Sequence, residues 1–182
     1  PRLLSDGLNR FQGNKKPLAT RLWHCRGDLA ECFQVGIIRF ASSLSGNGFA
    51  EDFLRGLELE KLPAETRFTL VRYFRRHAIP GAKPTLLLLL KGEADGQGEL
   101  SIAAASSLAA YPGDETQRAL QNALHSPNWH VRQNAARSLK ALGGTWEESK
   151  GGLSGDPYAA EMLGYIFGVQ VEKEESEVLM MV

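Results

Sequence analysis

Apolar residues recur along this chain at helical spacing. Val131, Ala135, Leu139 and Leu142 stand 4, 4 and 3 positions apart, which lays them as one stripe along an α-helix. The stripe returns 31 positions earlier as Leu100, Ala104, Leu108 and Tyr111, and a further 34 earlier as Thr66, Leu70, Phe74 and His77, imperfect at both ends. It recurs 27 positions later as Tyr158, Met162, Ile166 and Val169. Self-similarity at a period near 30 marks a stacked repeat, whose units cannot bury their apolar faces alone. Another helix precedes each of these. Residues 49–61 carry Phe53, Leu54 and Leu57; 82–92 carry the leucine run 86–90; 114–125 carry Leu120, Ala123 and Leu124. The weakest, 145–153, has Trp146 and Leu153 with two glycines between them. The expected unit is helix, short turn, helix.

The punctuation agrees with that unit. Pro63, Pro127 and Pro157 fall at or near the first turn of a second helix, where a missing N–H costs little, and residues 92–98 form a looser loop at the same place. Between units, Ile79-Pro80-Gly81, Pro112-Gly113 and Gly143-Gly144 stop one helix and admit the next. Asp114 and Thr145 are expected N-caps. Further upstream, 28–44 predicts an amphipathic helix with Leu29, Cys32, Phe33, Gly36, Ile37, Phe40 and Leu44 on one side. It reads as the second helix of an earlier, degenerate unit. Residues 1–20 have weak periodicity and read as a loop or short helix. The run 172–177 is charged, and 178–182 is apolar. Together these give an all-α chain of about four two-helix repeats, expected as a single domain over 1–182. Its N-terminal degenerate helix is at 27–48, its repeats are 49–79, 82–111, 114–143 and 145–168, and its acidic tail is 171–182.

From Leu124 to Gly143 the unit resembles a known family. Leu124 closes a first helix, Pro127 marks the turn, and Val131-Arg132, the paired Ala135-Ala136, Leu139 and Gly143 follow in order. This resembles the HEAT-like repeat of the phycobilisome-lyase type, strongly here, less so at 145–168 and 82–111, and least at 49–79. Where that repeat has Asp in the turn, this unit has Asn128, while Asp156 stands in the last unit. The resemblance implies a right-handed α-α superhelix, a HEAT/armadillo-like solenoid, with the second helices lining its concave face. It also implies that Arg132 is structural, tying turns together. Most such proteins are scaffolds and adaptors; a few are bilin lyases or DNA glycosylases.

Charge adds an asymmetry. The formal net charge is 0, yet residues 1–40 carry seven Lys/Arg against three Asp/Glu, and residues 141–182 carry two against eight. A dedicated nucleic-acid domain would be strongly basic, so nucleic acid is disfavoured as a partner. The two cysteines, Cys25 and Cys32, form no CxxC pair. If they shared a helix, their spacing of seven would set them about 10 Å apart along its axis, too far for a disulfide. A reducing compartment, the cytoplasm, is expected. The chain starts at Pro1 without an initiator Met, which reads as an excised fragment, and its basic beginning would suit the cytosolic part of a membrane-anchored protein. Membrane association is expected only through such an anchor.

Nothing in the sequence has the pattern of an enzyme, and no cofactor or metal is expected. Trp23-His24-Cys25 are adjacent, so on a helix their side chains diverge by about 100°. His24, His77, His125 and His130 lack ligand spacing, and neither a phosphate loop nor a nucleophile elbow is present. The constellation singled out is basic. Gln133, Arg137 and Lys140 form a polar stripe beside the core stripe of the third unit. Column equivalence adds Arg72, Arg75 and Arg76 in the first unit and Ser106 in the second, and a regular stack would set Arg72, Ser106 and Arg137 in a row. Guanidinium groups suit a carboxylate or phosphate. The expected function is therefore a non-catalytic protein–protein interaction or scaffold module taking a protein or acidic peptide on its concave face. The alternatives are a nucleic-acid-binding or DNA-repair solenoid and, on resemblance alone, a bilin lyase. A repair enzyme would need a carboxylate beside aromatic residues in a base pocket. Trp129 and Trp146 have no such companion in the repeat columns.

Overall fold

A computed structural model of the chain describes residues 2–44, 46, 48–59, 61–92, 98–147 and 157–169. The expected loop 92–98, most of the helix expected at 145–153, the turn at Asp156 and the tail 171–182 lie wholly or largely outside the described residues. Among the described residues there are ten α-helices and no strand. They are α1 (Arg2–Asn9), α2 (Lys15–His24), α3 (Glu31–Ser42), α4 (Ala50–Leu59), α5 (Ala64–Tyr73), α6 (Ala82–Leu90), α7 (Glu99–Ser107), α8 (Asp114–Ala123), α9 (Trp129–Ala141) and α10 (Pro157–Phe167). None of them is long and apolar enough to cross a membrane. The chain divides into two compact units, 1–82 and 83–182.

In the first unit α3 packs on α1, α2 and α5, and α4 packs on α5. Residues 1–20, where the periodicity is weak, supply α1 and most of α2, which begins at the N-cap Asn14. Because α3 has helices on several sides, its burial is wider than one stripe. Gln34, Val35, Ile37, Ile38, Phe40 and Ala41 are buried, whereas Cys32 and Phe33, expected on the inner side, are exposed. The two cysteines do not share a helix: Cys25 follows α2, Cys32 opens α3, and the 3-10 turn Arg26–Asp28 separates them. Aromatic rings fill the centre. Trp23 meets Phe53 edge-on at 4.6 Å, Phe53 meets Tyr73 at 4.8 Å, and Tyr73 stacks on His77 at 4.3 Å. Gly56 permits this approach, since a Cβ there would sit 2.9 Å from the Trp23 ring.

In the second unit the second helices stack in sequence, α7 on α9 and α9 on α10, with α8 against α9. The expected stripes are the core: Leu100, Ala104, Leu108 and Tyr111 on one side, Val131, Ala135 and Leu139 on the next. Two buried serines set the register between helices. Ser101 donates to the Leu89 carbonyl at 2.9 Å, and Ser138 donates to the Ala105 carbonyl at 2.7 Å. Helix α8 is capped by Gly113, and Asp114 is its first helical residue rather than its cap. Asn128 caps α9 by accepting from the His130 and Val131 amides. Helices α9 and α10 end alike. Gly143 and Gly168 have φ of 84° and 76°, and the next amide reaches back five residues, Gly144 to Leu139 and Val169 to Gly164. This is the six-to-one bond of a Schellman stop.

Burial expectations fail at the ends of two stripes, since Leu142 on α9's stripe is only half-buried. On the next stripe Ile166 is half-buried, and Val169 is exposed. Of the expected stripe Met162 is buried, and α10 adds Ala160 and Leu163 to it. The repeat before it is the shortest in the column register, 27 residues against 31 and 34, so equivalence by subtraction misplaces the end of its stripe.

Candidate interaction surface

The residues singled out in the sequence belong to two helices and their neighbours. In the first unit, α5 is held by its inner side, where Thr66, Leu70, Val71 and Tyr73 are buried. Three polar contacts fix its register on α3. The Glu65 amide donates to the Glu31 carboxylate at 2.8 Å, Thr66 Oγ1 donates to Gln34 Oε1 at 3.4 Å, and His77 Nε2 lies 3.3 Å from Ser42 Oγ. The opposite side faces solvent. Arg72 is exposed, with its guanidinium 5.6 Å over the Phe68 ring. Arg75 and Arg76 are exposed in the turn that follows the helix. The structure thus gathers the three arginines at one end of α5.

A further exposed arginine, Arg39, was not singled out in the sequence. It stands on α3 and lies 3.9 Å from the Glu65 carboxylate. The paired positions 31/65, 34/66 and 42/77 are 34, 32 and 35 apart, so α3 and α5 run in register at a spacing near that of the repeat. Column arithmetic at 34 would not have found Arg39, since it leads from Arg72 to Ile38, which is buried.

In the second unit, Gln133, Arg137 and Lys140 share the outer side of α9 at spacings of 4 and 3. Gln133 is half-buried, while Arg137 and Lys140 are exposed. Ser106, on the packed neighbour α7, is half-buried. Lys140 has a local role: its Nζ donates to the Ile166 carbonyl at 2.6 Å. That places a cation on the last turn of α10, where carbonyls lack helical partners. Arg132 does not join the surface. Its Nη1 donates to the Ser126 carbonyl at 2.8 Å and the Pro127 carbonyl at 3.4 Å, and its guanidinium lies 5.4 Å from the Trp129 ring. The arginine of the Val-Arg pair therefore ties down the turn within its own unit. Arg72 and Arg137 lie in different compact units, and each is placed here within its own.

The other candidate chemistry disperses. Trp23 is buried, whereas His24 and Cys25 are exposed. His77 is engaged with Ser42 and Tyr73, while His125 and His130 are exposed. Among the described residues no group of three His, Cys, Asp or Glu side chains could hold a metal ion. A groove of about 810 Å³ lies along the first helices of the second unit, with Leu87, Leu90, Lys91, Arg118, Asn122 and Val131 among its walls. Periodicity gave no sign of it, because a gap between helices is a product of packing distance and not of spacing along the chain.

Residues 84–153 match the family model described as HEAT repeats. The match concerns HEAT repeats as such and does not reach the phycobilisome-lyase type. No curated protein and no solved structure gives a significant match to the chain.

Proposed function

We propose, from the premise that residues 84–153 are HEAT repeats, that this chain is a non-catalytic interaction module. HEAT repeats generally mediate protein interactions, presenting an extended surface built from stacked units. The partner we assign is an acidic protein segment, taken on the solvent-facing side of the second helices, which line the concave face in solenoids of this type. The observation that carries this reading is the state of the arginines within each unit, Arg72 and Arg76 in the first and Arg137 in the second. Arg72, Arg76 and Arg137 are exposed and make no ion pair with any described residue. A guanidinium offers a planar fork of donors matched to carboxylates, and Phe68 beside Arg72 adds an apolar component to the same surface. An acidic amphipathic helix fits both. The two thiols are exposed and unbridged, which suits a reducing compartment such as the cytoplasm.

The test uses fluorescence anisotropy on the full chain. A labelled Glu/Leu-repeat peptide is titrated beside a Lys/Leu-repeat peptide and a single-stranded oligonucleotide of equal length. The expected result is binding of the acidic peptide, weakened by salt, because exposed charges are screened beyond ~8 Å at physiological ionic strength. Arg72→Glu, Arg76→Glu and Arg137→Glu together should lower its affinity by about ten-fold or more. Unchanged affinity in the triple variant would sink the proposal. Tighter binding of the oligonucleotide would favour the nucleic-acid alternative.

A further inference from the structure

Between Asp6 and Asp28 the chain has no carboxylate side chain, yet it carries Arg10, Lys15, Lys16, Arg21 and Arg26. The fold draws one of these inward. Arg26 is buried, with its guanidinium 4.0 Å over the Trp23 ring. Ala19 and Trp23 anchor α2 in the core of the first unit. Lys16, Arg21 and His24 are exposed on the other side of that helix, within about 140° of arc at ~100° per residue. Arg10, Lys16 and Arg21 make no ion pair with any described residue.

The loop before α2 extends this face. Lys15 Nζ donates to the Asn9 carbonyl at 2.7 Å, and the Asn14 side chain accepts from the Lys16 amide, so the loop is tied at both ends. It presents Arg10 and the Phe11 ring, which is 44% exposed. Gly13 leaves room for that ring, since a Cβ there would sit 2.4 Å from its Cζ. Charge on the wider scale agrees. Residues 1–82 carry thirteen Lys/Arg against eight Asp/Glu, and residues 83–182 carry eight against thirteen.

We propose that Arg10, Phe11, Lys16, Arg21 and His24 form a docking face for an anionic lipid surface, with the phenyl ring entering the headgroup boundary. Clustered cations are drawn to the negative potential of such a surface, each contributing about five-fold in affinity. An aromatic ring is favoured where headgroups meet acyl chains. A nucleic acid would use the same cations but would stack its bases on several rings. This stretch has only Phe11 and Trp23, and Trp23 is buried. The contact needs no spanning helix. It does not depend on the acidic-partner reading, which concerns α5 and α9.

The test is co-sedimentation of the full chain with two kinds of vesicle, phosphatidylcholine alone and an equimolar mixture with phosphatidylserine. At low salt the mixed vesicles should bind about ten-fold more tightly or better, and binding should be lost at ~1 M salt, where the screening length is ~3 Å. Arg10→Gln, Lys16→Gln and Arg21→Gln together, all at exposed positions, should lower affinity about ten-fold or more. Phe11→Ser should lower it about three-fold. Arg72→Gln with Arg76→Gln, exposed cations of the same unit, should leave it within about two-fold. Should the triple variant also lower the urea midpoint, Arg21→Gln alone decides, with a loss of about three-fold or more expected. Equal binding to both vesicles, or binding to neither, overturns the proposal. So does unchanged affinity in the α2 variants, or an equal loss in the Arg72/Arg76 variant. A single-stranded oligonucleotide that binds where the mixed vesicles do not overturns it in favour of nucleic acid.

Discussion

Tyr73 carries its hydroxyl into the aromatic centre of the first unit, where the residue is 3% exposed and the oxygen has no hydrogen-bond partner among the described residues. Burial pushes its pKa up to about 12 from 10.0, because the phenolate would lose its hydration. Between these two values the unfolded chain gives up a proton that the folded chain keeps. Stability should therefore fall as pH rises from about 10 towards 12, by on the order of 2 kcal/mol. Tyr73→Phe should remove that alkaline loss and, at neutral pH, leave stability equal or about 1 kcal/mol higher, since it deletes an unsatisfied buried hydroxyl. Urea titrations at pH 7 and pH 11 check both, and a variant with the wild-type alkaline loss would contradict the assignment. At Asn128 the cap is local: Asn128→Ala leaves the His130 and Val131 amides without their acceptor and should cost about 1 kcal/mol, read from the urea midpoint. The sequence marked Asn128 as a turn position but not as a cap; the caps expected were Asp114 and Thr145. The state of Tyr73 was not legible either, since nothing in a 4-4-3 pattern says whether a tyrosine's oxygen will meet an acceptor.

At the scale of the helix, α9 is the best-determined element, because every signal along it agrees: a cap, an inner stripe, a serine to the neighbouring carbonyl and a glycine stop. Leu139 is 1% exposed on a helix that packs against both α7 and α10. Leu139→Ala should cost about 2–5 kcal/mol through lost burial and a residual cavity. Repeat stability is carried by nearest-neighbour interfaces, so amide exchange in Pro157–Phe167 should speed up in this variant. Wild-type exchange rates there would rule out the nearest-neighbour account. Helix α3 shows where periodicity stops being informative. A single amphipathic face was expected, yet α1, α2 and α5 all pack on this helix, and residues off the stripe, Gln34 and Ile38, are buried while Phe33 is not. How many neighbours a helix will have is not written in its own spacing.

At the scale of the molecule, the chain comprises two compact units, and each has a contiguous core of its own. The first is centred on Phe53, which is 0% exposed and in ring contact with Trp23, Phe49 and Tyr73. Phe53→Ala should cost about 3–5 kcal/mol and raise amide exchange in Glu31–Ser42 and Ala64–Tyr73. Unaltered protection in those two helices would show that the ring cluster does not hold the unit together. This cluster draws its members from α2, the turn before α4, α4 itself and α5, so no single window of sequence contains it.

The sequence by itself determined that the chain is helical, that the helices come in repeating pairs, and which stripe of α7 and α9 is core. These follow from spacing, turn residues and capping, all of which act over a few residues. Only the tertiary structure decided that Lys140 is committed to the end of α10, that Arg132 secures its own turn, and that Arg39 lies beside Glu65. It likewise decided that Ile166 is only half-buried. Each of these depends on the distance and register between elements, which are set by side-chain volumes meeting across an interface. Local periodicity carries no measure of that.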